Sequence, residues 1–148
     1  MPCVNIVNIY PKITLLRPST ERIVNSIASG EKTRVKLITI IVSDDEMLNN
    51  LKVKFFGEDY LTDTISFNYN SDNEPIEGEI YLSIDRIKEN AQKFKITFNK
   101  ELANIIIHSL LHLMGYNDEK PNDRKQMMAL QNFYLQQQDL TRLTRKTA

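Results

Sequence analysis

Residues 99–118, NKELANIIIHSLLHLMGYND, contain the longest apolar segment of the chain and both of its histidines. Apolar residues recur at helical spacing from Leu102 to Met114, and Gly115 follows where a left-handed helix stop is expected. The pattern predicts a helix over Asn99 to Met114. Its apolar run is shorter than the roughly 20 residues that a bilayer span needs, so we expect a central helix of a folded domain.

Patterns on both sides of this helix predict a mixed set of strands and further helices. Apolar and β-branched runs predict strands over Val4 to Tyr10, Arg34 to Val42, Thr64 to Tyr69 and Glu79 to Leu82, the last two as a hairpin. Capping signals predict four more helices. They run over Ser19 to Ala28, from a cap offered by Ser43 with Asp44 and Asp45 through Leu51 to a break at Gly57, from Ser83 through Ala91, and from Asn122 through Leu135. No repeat or linker interrupts them. The sequence therefore predicts one α+β domain over residues 1–148, a small mixed sheet packed with several helices.

Composition narrows the class of partner only weakly. The 148 residues carry 19 basic and 19 acidic side chains, so the overall charge does not indicate a nucleic acid or an anionic membrane. The basic residues Arg142, Arg145 and Lys146 are interpreted as a solvated, loosely held tail. Cys3 is the only cysteine, and no signal peptide is apparent, so we expect a cytoplasmic protein without an internal disulfide.

The two histidines, His108 and His112, stand at positions i and i+4 of the predicted central helix. This spacing puts both imidazoles on one helix face, where a single Zn²⁺ can reach them. Gly115 lets the chain reverse after the helix, which makes Asp118 the natural third ligand. Two imidazoles and one carboxylate leave a fourth position for water, as in catalytic zinc sites. The residues thus predict one zinc ion per chain and a catalytic role for its three ligands through the water on the metal.

Two other interpretations of the histidine pair remain open on the residues alone. Paired histidines on an apolar helix can also be hydrogen-bonded core residues, although Gly115 and Asp118 favour the metal. HExxH peptidases carry a general-base Glu directly after the first histidine, whereas Ser109 stands there in this chain. A small metallopeptidase is therefore the weaker hydrolase hypothesis.

Three segments together resemble the YbeY family of bacterial endoribonucleases. HSLLHLMGYND at 108–118 resembles its H-G-x-L-H-L-x-G-Y-D-H signature, LTDTISFNY at 61–69 its T-D-V-L-S-F segment, and EGEIYLSID at 77–85 its L-G-D-I-x-I-S segment. The resemblance covers roughly positions 45–135. It implies a metal-dependent endoribonuclease specific for single-stranded RNA, acting in ribosomal RNA maturation at the 3′ end of the small-subunit RNA and in ribosome quality control.

The chain departs from the family pattern at two positions. Asp118 replaces the family's third metal-ligand histidine, which lowers the net charge of the site by one while keeping a competent zinc ligand. The family usually carries an arginine directly before the glycine that stands here as Gly57, and Phe56 replaces it. The bidentate phosphate contact that an arginine could make is therefore lost. We hypothesise that Lys52 or Lys54 supplies that contact.

Other residues of the matched segments have simpler interpretations. Thr62, Asp63 and Ser66 are interpreted as turn-locking residues, because Thr and Asp hydrogen-bond locally at strand ends. Glu79 is a secondary catalytic candidate, as a carboxylate that could assist proton transfer.

The partners that the family resemblance implies are single-stranded RNA, ribosomal RNA and the ribosome or its small subunit. The alternative is a ribosome-assembly binding factor with a structural metal, and the oligomeric state is not determined by the sequence.

Overall fold

The computed structural model describes residues 3–147, which form six strands and five helices. The strands are Cys3–Asn8 (β1), Ile13–Leu15 (β2), Val35–Ser43 (β3), Thr64–Asn68 (β4), Ile76–Ser83 (β5) and Thr144–Lys146 (β6). The helices are Arg17–Gly30 (α1), Asp45–Phe56 (α2), Ile84–Phe94 (α3), Phe98–Leu113 (α4) and Pro121–Gln136 (α5). Across these residues no helix combines the length and apolarity needed to cross a bilayer.

The main sheet has four strands in the order β1-β3-β5-β4. β1 pairs with β3 and β3 with β5 in parallel, whereas β4 and β5 form an antiparallel pair. The predicted hairpin and the mixed sheet are therefore confirmed, and so is the α+β class. The parallel strands are joined by helical crossovers, α1 between β1 and β3 and α2 on the way to β4 and β5.

Gly78 of β5 marks the sheet face that carries the central helix. A Cβ atom at Gly78 would lie 2.8 Å from the carbonyl oxygen of Phe67 and 3.0 Å from the side chain of Leu113 at the end of α4. A side chain at this position would collide with the carbonyl of the neighbouring strand and press against the end of the helix. Ile80, two residues along, is fully buried on the same face.

The opposite face of the sheet is covered by α2. The ring of Phe67 in β4 lies 5.5 Å from that of Phe55 at the end of α2, and 5.8 Å from that of Tyr81 in β5. Of the residues 43–45 that the sequence offered as a cap, Asp44 caps α2 by accepting from the backbone N–H of Met47. The start of α2 also contacts α3, where Arg86 pairs with Asp45 at 3.0 Å.

Helix α4 runs through the middle of the core. Its most enclosed residues are at most 1% exposed, and they include Leu102, Ala103, Ile106, Leu110 and Leu111. A helix that is apolar on nearly all sides must be enclosed by other elements. The predicted helix over Asn99 to Met114 is confirmed with both ends shifted by one residue.

The N-terminal end of α1 differs from the prediction. The helix begins at Arg17, with Pro18 in its first turn, and not at Ser19. Ser19 and Thr20 are buried, and their hydroxyls donate to the carbonyls of Arg142 and Leu16. The Ser19 hydroxyl therefore ties α1 to the C-terminal segment, the Thr20 hydroxyl bonds the residue directly before the helix, and neither caps α1.

The interpretation of the C-terminal residues as a loosely held tail is wrong. β6 pairs with β2 in a separate two-stranded sheet, and Leu143 just before it is fully buried. Arg145 and Lys146 keep exposed side chains while their backbone is held in the strand pair. Both strands are three residues long, too short to show a periodicity in the sequence.

Candidate metal centre and substrate cleft

The side chains of His108, His112 and Asp118 converge at the C-terminal end of α4. The two Nε2 atoms lie 3.0 Å apart. Oδ2 of Asp118 lies 3.7 Å from Nε2 of His108 and 3.5 Å from Nε2 of His112. The three residues that the sequence singled out as ligands thus present one nitrogen or oxygen atom each to a common point.

A tight reversal after α4 brings Asp118 back to the histidines. The helix ends at Leu113, and Gly115 has a φ of 103°, in the left-handed region that favours glycine. Backbone bonds from Gly115 to the carbonyl of His112 and from Tyr116 to the carbonyl of Leu111 close the reversal.

The Nδ1 atoms of both histidines are engaged by acceptors. Nδ1 of His108 lies 2.8 Å from Oε1 of Gln131 in α5, and Nδ1 of His112 lies 3.0 Å from the backbone carbonyl of Tyr116. A carbonyl oxygen can only accept, so each Nδ1 donates a hydrogen and Nε2 is the ring nitrogen left to bind a metal. The two Nε2 atoms, 3.0 Å apart, both lie on the side of Asp118, where one metal ion could contact all three side chains.

The spacing of the three ligand atoms fits a small transition-metal ion. A triangle with sides of 3.0, 3.5 and 3.7 Å has a point about 2.0 Å from all three corners, which is the usual length of Zn–N and Zn–O bonds. Imidazole and carboxylate together suit zinc and its neighbours better than Mg²⁺, which prefers oxygen ligands alone. The described residues could therefore hold a metal here.

A chain of side-chain hydrogen bonds fixes the orientation of Gln131, a residue that the sequence analysis missed. Nε2 of Gln131 donates to Oδ1 of Asn104 at 3.1 Å, and the amide of Asn104 donates to Glu101 at 3.5 Å. Glu101 is buried, and that burial raises the pKa of its carboxyl group. Helical spacing could have indicated Gln131, because it lies on the same face of α5 as Met127 and Tyr134, which are both buried.

The carboxylate of Glu31 holds the turn that supplies the Tyr116 carbonyl. The phenol groups of Tyr116 and Tyr134 both donate to this carboxylate, which follows the last residue of α1. The hydrogen bond to Glu31 raises the pKa of the Tyr116 phenol. Through Tyr116, the orientation of His112 depends on α1 and α5 as well as on its own helix.

A cleft of about 400 Å³ opens beside the two histidines. One wall is the segment from Thr62 to Asn68, which contributes hydroxyl, carboxyl and amide groups, and the other includes Lys52 and Phe56 of α2. The size and the polar walls suit an extended, polar substrate better than an apolar ligand.

The polar residues of the 62–68 wall also have structural partners. Asp63 accepts from Asn90 through its side chain and from the backbone N–H of Ser83 through its carbonyl. Burial raises the pKa of its carboxyl group. The hydroxyl of Thr64 bonds that of Ser109, which also donates to the carbonyl of Ile105. Ser109 is thus a buried packing residue at the position where a peptidase carries its general base.

Glu79 does not reach this cleft. It alternates along β5 with Gly78 and Ile80, which face α4, so its side chain lies on the α2 face of the sheet. There its carboxylate accepts from the phenol of Tyr69 at 2.5 Å, which raises the pKa of Tyr69 to about 12. The hypothesis that Glu79 assists proton transfer at the metal therefore has no geometric support.

Lys52 and Lys54 of α2 point to different surroundings. Nζ of Lys52 donates to the phenol of Tyr60 at 3.1 Å and lies 4.8 Å from the ring centre of Phe56, at the cleft. Nζ of Lys54 lies 5.3 Å from the ring centre of Phe55, and Lys54 lines a separate groove. Of the two lysines, Lys52 is the one beside the histidines.

Comparison with known proteins gives a consistent result. A family model described as Endoribonuclease YbeY matches residues 9–139. A protein of that name from Chlorobium limicola is 42% identical over 115 residues, covering 78% of this chain and 79% of that protein. Another from Amoebophilus asiaticus is 34% identical over 138 residues, covering 91% and 94%. A solution structure of a Thermotoga maritima protein is similar with a TM-score of 0.63 and 27% identity, covering 90% of this chain and 87% of that one.

Proposed function

Because this chain belongs to the endoribonuclease YbeY family, we propose that it cleaves single-stranded RNA with a zinc ion held by His108, His112 and Asp118. The observation that carries the proposal is the arrangement of three ligand atoms around one point, with both Nδ1 atoms bonded to acceptors. Such acceptors orient metal-ligating histidines and increase their basicity.

The protein's own groups would bind and orient the RNA. When bound, the metal supplies Lewis acidity, which makes water an effective nucleophile near neutral pH and polarises a phosphate oxygen. Lys52 offers a charge to a phosphate group, and the hydroxyl and amide groups of the 62–68 wall offer hydrogen bonds to the RNA backbone. Ser109 lacks the proton-accepting group that peptide hydrolysis would need.

We further propose that the biological substrate is ribosomal RNA, near the 3′ end of the small-subunit RNA, with a second role in ribosome quality control. The cell compartment would then be the cytoplasm, where ribosomes mature. The near-neutral overall charge favours a partner that supplies additional contacts, such as the small ribosomal subunit, over binding of free RNA by charge alone. A ribosome-assembly factor with a structural metal is the competing function.

Removal of the metal by a chelator tests whether RNA cleavage depends on the metal. Treating the purified protein with a strong chelator is expected to abolish cleavage of a labelled single-stranded RNA, because no side chain at the site replaces the Lewis acid. Added Zn²⁺ should restore cleavage, and Mg²⁺ alone should not. Gel analysis of the RNA, with casein as a peptidase control, measures both activities. Full cleavage after complete metal removal would refute the metal-dependent mechanism, and cleavage of casein would favour a peptidase.

Replacing Lys52 with alanine is expected to weaken RNA binding several-fold and to reduce the salt dependence of binding by about one phosphate contact. Lys54→Ala is the matched control, since it removes the same charge from the same helix away from the cleft. Fluorescence anisotropy with chelator-treated protein at several salt concentrations measures both quantities. Equal effects of the two substitutions would show that Lys52 makes no specific contact.

A further inference from the structure

Aromatic side chains are exposed at the mouth of the cleft, where α2 ends. Phe56 is 47% exposed and Tyr60 is 49% exposed, although both are large rings that folding normally buries. Phe56 lines the cleft together with the two histidines. Tyr60 and Phe56 both contact the ammonium group of Lys52. Its Nζ lies 4.8 Å from the ring centre of Phe56 and 4.9 Å from that of Tyr60.

The rings are held in place and not simply solvated. Phe56 stacks on Phe67 of β4, with ring centres 6.2 Å apart and an angle of 22° between the planes. Phe67 is itself fixed edge-on by Tyr81. Tyr60 is oriented by the hydrogen bond from Lys52 to its phenol oxygen. A supported ring loses little conformational freedom when a flat ligand binds it.

We propose that Phe56 and Tyr60 form a stacking site for an unpaired nucleobase next to the metal centre. This inference rests on the proposed RNA cleavage and names a further determinant of its substrate class. A base stacks on a protein ring only after it leaves its own duplex, so the site selects single-stranded RNA. Stacking is independent of base identity, because every base has a π-face.

The charge of the surroundings favours RNA as the occupant. Lys52 places a cation 4.8 Å and 4.9 Å from the centres of the two rings and beside the cleft, close enough to pair with the phosphate linked to a stacked base. The protein as a whole carries 19 basic and 19 acidic side chains, so long-range attraction contributes little to holding RNA. Affinity must then come from local contacts, and stacking is the strongest one that these residues offer.

Phe55 provides a matched control within the same helix. It is 56% exposed and contacts the same Phe67 ring edge-on, but it does not line the cleft. Removing Phe55 or Phe56 therefore deletes an equally exposed ring from the same support. Only Phe56 is next to the histidines.

The test measures binding of RNAs of about eight nucleotides to chelator-treated protein by fluorescence anisotropy. Phe56→Ala and Tyr60→Ala should each weaken binding about fivefold or more, whereas Phe55→Ala should change it less than about twofold. Phe56→Tyr should retain wild-type affinity. An RNA of the same length that is abasic at every position should bind the wild type weakly and be insensitive to Phe56→Ala.

Two results would overturn the inference. One is equal binding of base-bearing and abasic RNA by the wild type. The other is unchanged RNA affinity in Phe56→Ala, which would leave the exposed rings to a protein partner. Base-dependent binding without any cleavage would refute the proposed nuclease activity alone, while cleavage without base-dependent binding would refute the stacking site alone.

Discussion

The His112→Ala variant is expected to lose at least about a thousandfold in the rate of RNA cleavage while keeping its fold. In the proposed site His112 supplies one of three ligand atoms, so its loss would leave two ligands on a site that is open to water. Metal-assisted hydrolysis contributes several kcal/mol to the barrier reduction, and each ~1.4 kcal/mol is a factor of ten in rate.

The fold should tolerate this substitution. The side chain of His112 is 30% exposed at the cleft, so its truncation opens no enclosed cavity in the core. We expect the free energy of unfolding to change by about 1 kcal/mol, the usual size for a partly exposed position. A circular dichroism melt measures this change beside the cleavage assay.

His108 provides the internal check on this prediction. If both histidines act only through one shared metal, His108→Ala and the double variant should be as inactive as His112→Ala, because residues that act as a unit are not additive. RNA affinity should persist in all three, since Lys52 and the 62–68 wall remain. Cleavage above about a tenth of the wild-type rate in a variant shown to be metal-free would exclude the metal mechanism. Intact cell function in His108→Ala would instead favour the assembly factor.

The sequence predicted the helix that carries the site because that helix has strong local signals. The i and i+4 spacing of His108 and His112 needs only helix geometry to bring the rings together. Gly115 at the helix end predicted a reversal, and the structure has a positive φ there. The cap at Ser83 was predicted from side-chain chemistry alone and is confirmed, and of the residues 43–45 offered as a cap for α2, Asp44 is the one that caps it.

The sequence could not supply relations that depend on tertiary packing. Gln131 lies 23 residues from His108, and only the packing of α5 against α4 places its amide at Nδ1. Glu79 could be named only as a secondary candidate for proton transfer, because alternation along a strand shows that two faces exist without showing which one meets the helix. Gly78 was the residue that could have indicated this face, because a Cβ atom there would contact Leu113 of α4, and the side chain of the next residue, Glu79, points to the other face.

The Asp118→Ala variant is expected to bind its metal at least about a hundredfold more weakly than the wild type, beyond the loss typical of altering an outer-shell partner. Asp118 is the departure from the family's histidine, and its carboxylate lies 3.5 and 3.7 Å from the two Nε2 atoms. Its side chain is 42% exposed and follows a reversal outside any helix, so it depends on the metal for a fixed position more than the histidines do. Elemental analysis of the purified proteins and competition with a chromophoric chelator measure the affinity.

Glu119→Ala is the control for charge, because it removes the same negative charge from the adjacent, exposed position. It should keep wild-type metal content, which separates coordination from the general field of the turn. Asp118→His restores the family's ligand and raises the net charge of the site by one, so it should bind metal at least as tightly as the wild type. If cleavage also rises in Asp118→His, the carboxylate limits the Lewis acidity of the native site. Equal metal content in Asp118→Ala and Glu119→Ala would mean that the two histidines bind the metal without Asp118.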